Sequence, residues 1–466
     1  MEYRLVVAQI LSDLIFAVGP ATENSVTDEQ RFFAIGVMLL YPIIFNNFFN
    51  KAERIPTALI ILLTGILTVL IFGQKPLQTS DEFVHIIHLI SLNFILFSSG
   101  LDTKFASIRS ILKYSLLIST FGIAISATII GTLFYLVISR DFLGFGYAGL
   151  EFIPFNLCIL FGACLSSTDA GASISILTRL PIKLPEKIFN IIKFESSIND
   201  PAAVITYSAI ASWILSEALK AGANSSNTLV AANLTFRSFT DNFVGLFSTG
   251  ILTGVAFGYL SIWLLKNIVI RKSQLLSAGL AIVSLNYAIS NYIGGSGLIS
   301  AFVSGMALSN LYKSSDISIV EDMKESLTPF EELAEIFIYI SFSVRIDPES
   351  LFKMLPLGLI CALIMMVIAR PISIYIFQPF SNLNWKESSL LGWCGLKGSV
   401  TLALSFEMVD LISKAQVLGA DFTPDLAQNI QSIIFITALT NLFVQSISIS
   451  NVAKWATRKS DQTEKA

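Results

Sequence analysis

Long apolar runs separated by short polar breaks extend along almost the whole chain. Most runs are about 20 residues long, which is the length that an α-helix needs to cross a bilayer. This pattern predicts an all-α polytopic membrane protein with 13–14 transmembrane helices. The first run is short and carries Asp13, so whether it crosses the membrane is left open. The runs, bounded by Pro, Gly or charged residues, are Leu5–Pro20, Phe32–Phe48, Pro56–Phe72, Phe83–Leu101, Ile111–Ile138, Phe152–Leu177, Ile188–Leu215, Phe239–Leu265, Leu275–Tyr292, Ser296–Leu311, Phe330–Val344, Leu351–Phe377, Glu387–Val409 and Ile430–Ile449.

Composition places this apolar surface in lipid. The 466 residues are 54% hydrophobic and only 14% charged, whereas a soluble domain carries about 25% charged residues. A transmembrane barrel does not fit, because its strands would be short and would alternate apolar with polar positions. The net charge of −3 gives no sign of nucleic-acid binding.

No motif for enzymatic chemistry or for a resident cofactor accompanies these runs. The chain has no dinucleotide fingerprint, phosphate loop or nucleophile elbow, so no enzyme activity and no cofactor are predicted. The two histidines, His85 and His88, lack the spacing of a transition-metal site. The four cysteines all lie in apolar runs, where they are expected to be small buried hydrophobic residues.

Positive charge is divided unequally between the two sides of the predicted membrane region. Loops after even-numbered runs hold more than twice as many Lys and Arg residues as loops after odd-numbered runs. Because cytoplasmic loops are enriched in these residues, the even side and the C-terminus are predicted to be cytoplasmic. Residues 1–455 would form the transmembrane domain and 456–466 a short cytoplasmic tail, with an extracytoplasmic loop around 220–237. The short termini fit a bacterial cytoplasmic membrane, and a thylakoid or other energised membrane is left open.

Small and polar residues interrupt two of the predicted helices. The sixth run contains Ser167-Thr168-Asp169, and the thirteenth contains Gly395-Leu396-Lys397-Gly398. The runs are seven apart, so the two helices have opposite orientations in the membrane. Paired interrupted helices in inverted halves indicate the midplane site of a secondary transporter. Gly and Ser alone would fit close helix packing equally well. Asp169 and Lys397 favour the functional reading, because a charge inside a bilayer is costly.

A third polar stretch lies in the seventh run, from Phe194 to Ala203. Glu195 and Asn199 are four residues apart, as are Ser196 and Asp200. On a helix, residues four apart share a face, so these side chains would project as two adjacent ridges toward one small volume. An ionised group in a bilayer costs at least about 3 kcal/mol, which makes this face a candidate functional site.

These motifs, together with Ala369-Arg370, resemble the signatures of the monovalent cation/proton antiporter superfamily, and most closely its NhaP-like branch of sodium/proton exchangers. The resemblance implies inverted repeats with two crossing broken helices. It implies a core domain, about 111–215 and 351–450, a remainder that serves dimerisation and scaffolding, and a homodimer with elevator-like alternating access. Exchange of Na⁺ or Li⁺ for H⁺ is the implied activity, with a family role in sodium transport and pH homeostasis. K⁺/H⁺ exchange is the alternative, and a channel or an anion transporter on this fold is less favoured.

The resemblance also implies roles for individual residues. Asp200 would be the carboxylate that binds either the cation or the proton, since hard cations prefer oxygen ligands and a desolvated carboxylate can hold a proton near neutral pH. Ser196 and Thr168 would add oxygen ligands. Asp169 would cap the helix N-termini at the crossing, in preference to direct ligation. Asn199 stands where electrogenic relatives carry a second Asp, which implies electroneutral exchange.

Glu195 and Arg370 match a pair that is structural in NhaP-like relatives. A buried ion pair is therefore expected, with a snorkelling Arg370 as the alternative. Two positions depart from the family pattern. Ala170 replaces a Pro after Thr-Asp, and Lys397 replaces an Arg. A buried Lys gives up its proton more readily than Arg does, so Lys397 leaves the transport stoichiometry open.

Overall fold

The computed structural model describes residues 56–72, 81–103, 112–139, 150, 153–180, 184–222, 228–269, 271–312, 318–381, 383–417, 422 and 425–457, with three isolated positions at 36, 40 and 44. The predicted run Leu5–Pro20, nearly all of Phe32–Phe48 and most of the predicted C-terminal tail lie outside these residues. Across the described ranges the α-helices are α1 Thr57–Phe72, α2 Asp81–Asp102, α3 Leu112–Ser139, α4 Phe155–Cys164, α5 Ala170–Thr178, α6 Glu186–Gly222, α7 Thr228–Asn267, α8 Leu275–Tyr292, α9 Gly297–Leu311, α10 Ser318–Arg345, α11 Pro348–Leu363, α12 Arg370–Phe377, α13 Trp385–Trp393, α14 Ser399–Val417 and α15 Leu426–Thr457.

Every apolar run predicted from Pro56 onward contains a helix. The run Leu275–Tyr292 coincides with α8 at both ends. The two interrupted runs are each divided in two, one into α4 and α5 and the other into α13 and α14. The all-α polytopic fold is therefore confirmed.

The prediction of a loop around 220–237 is wrong, because α7 already begins at Thr228. Polar residues lowered the hydropathy of this stretch, but Leu, Ala and Arg retain good helix propensity there. Similarly, α10 begins at Ser318, well before the predicted Phe330. Hydropathy marks the segment suited to lipid, and a helix can continue beyond that segment into the polar interface.

Five helices in the described ranges have the length and composition to cross a membrane, namely Lys113–Ser139, Val244–Asn267, Lys272–Tyr292, Pro348–Phe380 and Leu426–Thr457. Several others are apolar but shorter, among them Phe155–Cys164 and Gly297–Leu311. The half-helix Phe155–Cys164 has 10 residues. At a rise of 1.5 Å per residue it covers about half of a bilayer, so the break after it lies deep in the protein.

Among the described residues, the buried apolar side chains form two clusters. The larger cluster joins α3–α6 with α11–α15 and reaches α1, α2, α9 and α10. The smaller one lies between α2, α7, α8, α9 and α10, and contains Phe97, Phe257 and Met323. Helices α2 and α9 approach closely, since a Cβ on Gly305 would lie 2.2 Å from the Phe97 carbonyl oxygen. Small residues permit such contacts between membrane helices.

The helix Pro348–Phe380 is locally widened at its centre. A π-helical segment, Ile364–Ala369, separates α11 from α12. Pro371 has no backbone N–H and its ring crowds the preceding turn, so a wider turn accommodates it. Arg370, the first residue of α12, leaves this widened turn toward the protein interior and is buried.

Candidate functional site

The two helix breaks contact each other directly. One break comprises residues 165–169, between α4 and α5, and the other 394–398, between α13 and α14. The backbone N–H of Asp169 donates to the carbonyl oxygen of Leu396 at 2.7 Å. A Cβ on Gly398 would lie 2.7 Å from the Asp169 Cβ, so only glycine permits this approach. The crossing therefore depends on a missing side chain as well as on polar contacts.

Lys397 binds the end of α4 from across the crossing. Its side chain is buried, and its Nζ donates to the carbonyl oxygens of Leu165 and Ser167 at 2.5 and 2.7 Å. The Lys397 backbone N–H donates to Asn441 Oδ1 at 2.9 Å. The last carbonyls of a helix lack intrahelical partners and carry partial negative charge. The Lys397 ammonium group supplies hydrogen-bond donors to these carbonyl groups and a positive charge beside the negative end of the helix dipole.

Asp169 caps the second half-helix. It is the N-cap residue of α5, and its Oδ1 accepts hydrogen bonds from the backbone N–H groups of Gly171 at 2.7 Å and Ala172 at 3.3 Å. A carboxylate here satisfies unpaired N–H groups and lies at the positive end of the helix dipole. This geometry matches the capping role expected for Asp169, and the residue also lines the adjacent cavity.

The polar face of α6 points at the first break. Asp200 Oδ1 accepts a hydrogen bond from Ser167 Oγ at 2.6 Å, and Ser196 Oγ donates to the Thr168 carbonyl oxygen at 3.0 Å. Asn199 is fully buried, and its Nδ2 donates to Thr168 Oγ1 at 2.6 Å and to Glu195 Oε1 at 3.1 Å. The structure thus brings the predicted residues of the two regions together.

The carbonyl groups of the first break have protein donors in this structure. Lys397 Nζ donates to the carbonyl oxygens of Leu165 and Ser167, and Ser196 Oγ donates to that of Thr168. A cation at this break would therefore compete with these side chains for the carbonyl oxygens. Asp200 and Ser196 are the predicted ligands that line the cavity.

Glu195 and Arg370 form a buried ion pair. Arg370 Nη2 lies 2.7 Å from Glu195 Oε1 and donates to Oε2 at 2.8 Å. The side chain of Arg370 is 7% exposed and that of Glu195 is 3% exposed. The pair joins α6 to α12, so it connects the polar face to the widened turn. The Nε of Arg370 and the Oδ1 of Asn199 are buried without a hydrogen-bond partner in the described structure.

Pro201 creates a polar contact between α6 and α2. Because Pro201 has no N–H, the carbonyl of Ser197 one turn earlier loses its intrahelical donor. Ser99 Oγ from α2 donates to that carbonyl oxygen at 2.7 Å. A proline directly after Asp200 therefore frees a group that a neighbouring helix satisfies.

A cavity of about 220 Å³ lies beside Asp200. Asp169, Ser196 and Asp200 line it from one side, and Glu331 and Glu335 of α10 line it from the other. Glu331 accepts a hydrogen bond from Ser98 of α2.

Three residues of this region were not among the predicted site residues. Glu331 and Glu335 are four residues apart in a predicted apolar run, the same signal that singled out the face of Asp200. Ser167 belonged to a recognised motif but was given no role. Carboxylates inside a predicted apolar run are the pattern that marks both glutamates in the sequence.

A second cavity of about 470 Å³ adjoins the first and shares Asp102, Lys193 and Ser197 with it. The ion pair between Lys324 of α10 and Asp102 of α2 lies along this wall. The cavity reaches the C-terminal end of α2 and the N-terminal ends of α6 and α10. These ends lie on the side that the Lys and Arg distribution predicts to be cytoplasmic.

Comparisons with known proteins agree with this architecture. Residues 35–455 match a family model described as "Sodium/hydrogen exchanger, transmembrane". The K(+)/H(+) antiporter NhaP2 of Shewanella sp. (strain ANA-3) is 29% identical over 435 residues, covering 92% of this chain and 67% of that protein. The Na(+)/H(+) antiporter ApNhaP of Aphanothece halophytica is 26% identical over 430 residues, covering 90% and 72%.

Among solved structures, the sodium proton antiporter MjNhaP1 from Methanocaldococcus jannaschii at pH 8 superimposes with a TM-score of 0.73. The two chains are 20% identical, and the match covers 92% of this chain and 100% of the other. This likeness supports the antiporter fold, with two crossing broken helices, that the motifs predicted.

Proposed function

The chain belongs to the sodium/hydrogen exchanger family, and on that premise we propose that it exchanges a monovalent cation for a proton across a membrane. One observation carries the proposal. Asp200 lies on the polar face of α6, is bound by the first helix break through Ser167, and lines a cavity between two groups of helices. A carboxylate in this position can meet solutes from the cavity while the breaks surround it.

Competition at Asp200 supplies the exchange chemistry. A hard monovalent cation prefers oxygen ligands, and Asp200 and Ser196 present such oxygens at the cavity. A proton on the carboxylate removes the charge that attracts the cation. Either species therefore excludes the other, and alternate loading on the two sides of the membrane exchanges one for the other. The proposal involves no covalent step and no cofactor.

Na⁺, accompanied by Li⁺, is the proposed substrate, with K⁺ as the second candidate. The Na⁺ assignment draws on ApNhaP and MjNhaP1, which are named as sodium/proton antiporters, whereas the Shewanella relatives are named as K(+)/H(+) antiporters. Proteoliposomes that contain a pH-sensitive dye distinguish the two. External Na⁺, Li⁺, K⁺ and Rb⁺ would be added in turn across a range of pH, and the order of proton movements gives the selectivity.

Electroneutral one-for-one exchange is part of the proposal. Asn199 is neutral where a second transporting carboxylate would titrate, and Glu195 is held by Arg370. One carboxylate, Asp200, then carries one positive charge in each direction. A transport current on a solid-supported membrane, persisting after correction for leak, would contradict this stoichiometry.

The proposal extends to a homodimer with a cytoplasmic C-terminus, and the cavity supports an elevator-like movement. Its walls come from α5, α6 and α14 on one side and from α2 and α10 on the other. Displacement of one group of helices against the other would move Asp200 between the two membrane surfaces. Crosslinking in membranes tests the dimer, and labelling of a cysteine added after Thr457 tests the orientation.

The decisive test of the function is Asp200→Asn in proteoliposomes. This variant should fold and lose cation-driven proton movement, because an amide neither carries charge nor exchanges a proton. Asp410→Asn is the matched control, since Asp410 forms an exposed pair with Lys414 on α14. The control should retain exchange close to that of the unchanged protein. Full exchange by Asp200→Asn would refute the assignment.

A further inference from the structure

Ser167 makes two contacts that link opposite sides of the crossing. Its hydroxyl donates to Asp200 Oδ1 at 2.6 Å, and its carbonyl oxygen accepts from Lys397 Nζ at 2.7 Å. The residue is 0% exposed. One residue of the first break therefore touches both the lysine of the second break and the carboxylate of α6.

The helix break makes Ser167 dependent on an outside contact. In a continuous helix, regular backbone hydrogen bonds would fix the peptide, but residues 165–169 lie outside α4 and α5. Lys397 holds this stretch at two carbonyl oxygens, those of Leu165 and Ser167. These bonds restrict the orientation of the peptide that carries the Ser167 hydroxyl.

The hydroxyl in turn restricts the carboxylate. A serine hydroxyl has a single proton to donate, and here Oδ1 of Asp200 accepts it. Oδ2 is outside this bond, while the Asp200 side chain lines the cavity. A carboxylate held by one oxygen loses less conformational freedom when a cation binds, which raises affinity. Hydrogen-bonding partners of ligating residues commonly act in this way.

We propose that Ser167 is a positioning residue that orients Asp200 for cation binding, and that Lys397 acts on Asp200 through Ser167. The inference rests on the proposed exchange function. It gives Lys397 a task in the site besides joining the half-helices. It also predicts that the apparent affinity for the cation, rather than the maximal rate, responds to loss of the Ser167 hydroxyl.

The first experiment measures proton movement in proteoliposomes against the concentration of the transported cation. Ser167→Ala should raise the apparent KM about tenfold and change the maximal rate less than about twofold. Ser167→Thr keeps the hydroxyl and should restore KM toward the original value. An unchanged KM in Ser167→Ala would overturn the proposal.

Ser166→Ala is the matched control. Ser166 is also buried, but its Oγ donates to the Ala163 carbonyl oxygen of the preceding helix α4 at 2.7 Å. Loss of this hydroxyl should leave KM and maximal rate unchanged. An equal rise of KM in both variants would mean that any buried hydroxyl in the break has this effect, and would overturn the positioning role.

The second experiment tests the link to Lys397. Lys397→Met should raise KM, and the double variant with Ser167→Ala should be no worse than the more affected single variant. Multiplied effects would show that Lys397 acts independently and would overturn the link. If Lys397→Met does not fold, Lys397→Gln, which keeps an amide donor, replaces it in the same cycle. Absence of exchange in the unchanged protein would instead refute the proposed function.

Discussion

Two fully buried asparagines show how differently this protein treats polar groups in two regions. Asn286 of α8 uses both ends of its amide, since Nδ2 donates to Ser304 Oγ at 3.0 Å and Oδ1 accepts from Ser300 Oγ at 2.5 Å. Asn199 of α6 uses Nδ2, while its Oδ1 has no partner in the described structure. The two residues have the same chemistry and the same burial, yet the second is incompletely satisfied.

The surroundings differ in charge as well. The network around Asn286 consists of neutral groups, with Thr253 of α7 contacting Ser290 and Ser300 at 3.0 Å each. The region around Asn199 contains an ion pair, a capping carboxylate, a buried lysine and Asp200. A satisfied neutral network joins helices, whereas charges and unpaired atoms are retained at a cost. The difference favours a structural role for the first region and agrees with the proposed exchange site in the second.

The largest expected effect comes from breaking the ion pair in the functional region. Arg370→Ala leaves Glu195 as a buried, unpaired carboxylate, which should cost about 3–5 kcal/mol in the free energy of unfolding. The melting temperature in detergent measures this loss of stability. The apparent KM for the cation, measured on the protein that remains folded, should change little in comparison. Lys414→Ala, at an exposed pair, is the control. An unaltered melting temperature would show that the pair is unimportant for stability.

The second-largest effect is expected when either of the two asparagines, Asn286 or Asn199, is replaced by aspartate. Asn286→Asp places a carboxylate in a neutral network and should cost about 3 kcal/mol of stability. Asn199→Asp replaces the donor to Glu195 Oε1 with an acceptor, so it should also lower stability, and it should add a transport current by supplying a second titrating group. Thermal melting and solid-supported membrane recordings test the two outcomes. Equal destabilisation without a current would remove the functional distinction between the regions.

The smallest effect is expected within the neutral network. Thr253→Val keeps the shape of the side chain and removes its hydrogen bonds to Ser290 and Ser300. Interhelical hydrogen bonds in membrane proteins contribute about 0.6 kcal/mol each on average, so the melting temperature should fall only slightly. Exchange should be unchanged. A loss of exchange with normal stability would show that this network has a transport role.

Much of the fold was predictable because lipid imposes a strong local rule. A segment that spans the bilayer must satisfy its own backbone hydrogen bonds, so each long apolar run predicts a helix. The run Leu275–Tyr292 predicted both ends of α8. The rule weakens at helix ends outside lipid. It therefore missed the start of α7 at Thr228 and of α10 at Ser318.

The residues of the site were partly predictable for the same reason. Asp200, Asp169 and Lys397 stand out because charges are rare in apolar runs. Pairing was harder to see. Glu195 and Arg370 are 175 residues apart, and only the family resemblance suggested their contact. Ser167 is one buried serine among many, and nothing local distinguishes it from Ser166.

The sequence by itself determined the membrane class, the order of the helices and the two breaks, because each follows from local hydropathy or an unusual charge. The choice of Asp200 as the exchanging carboxylate came from the family resemblance. Only the tertiary structure decided which groups satisfy one another. It placed Lys397 on the carbonyl groups of the first break, Ser167 on Asp200, and Glu331 and Glu335 across the cavity. These contacts join residues far apart in the chain, and their geometry depends on how the helices cross rather than on any local pattern.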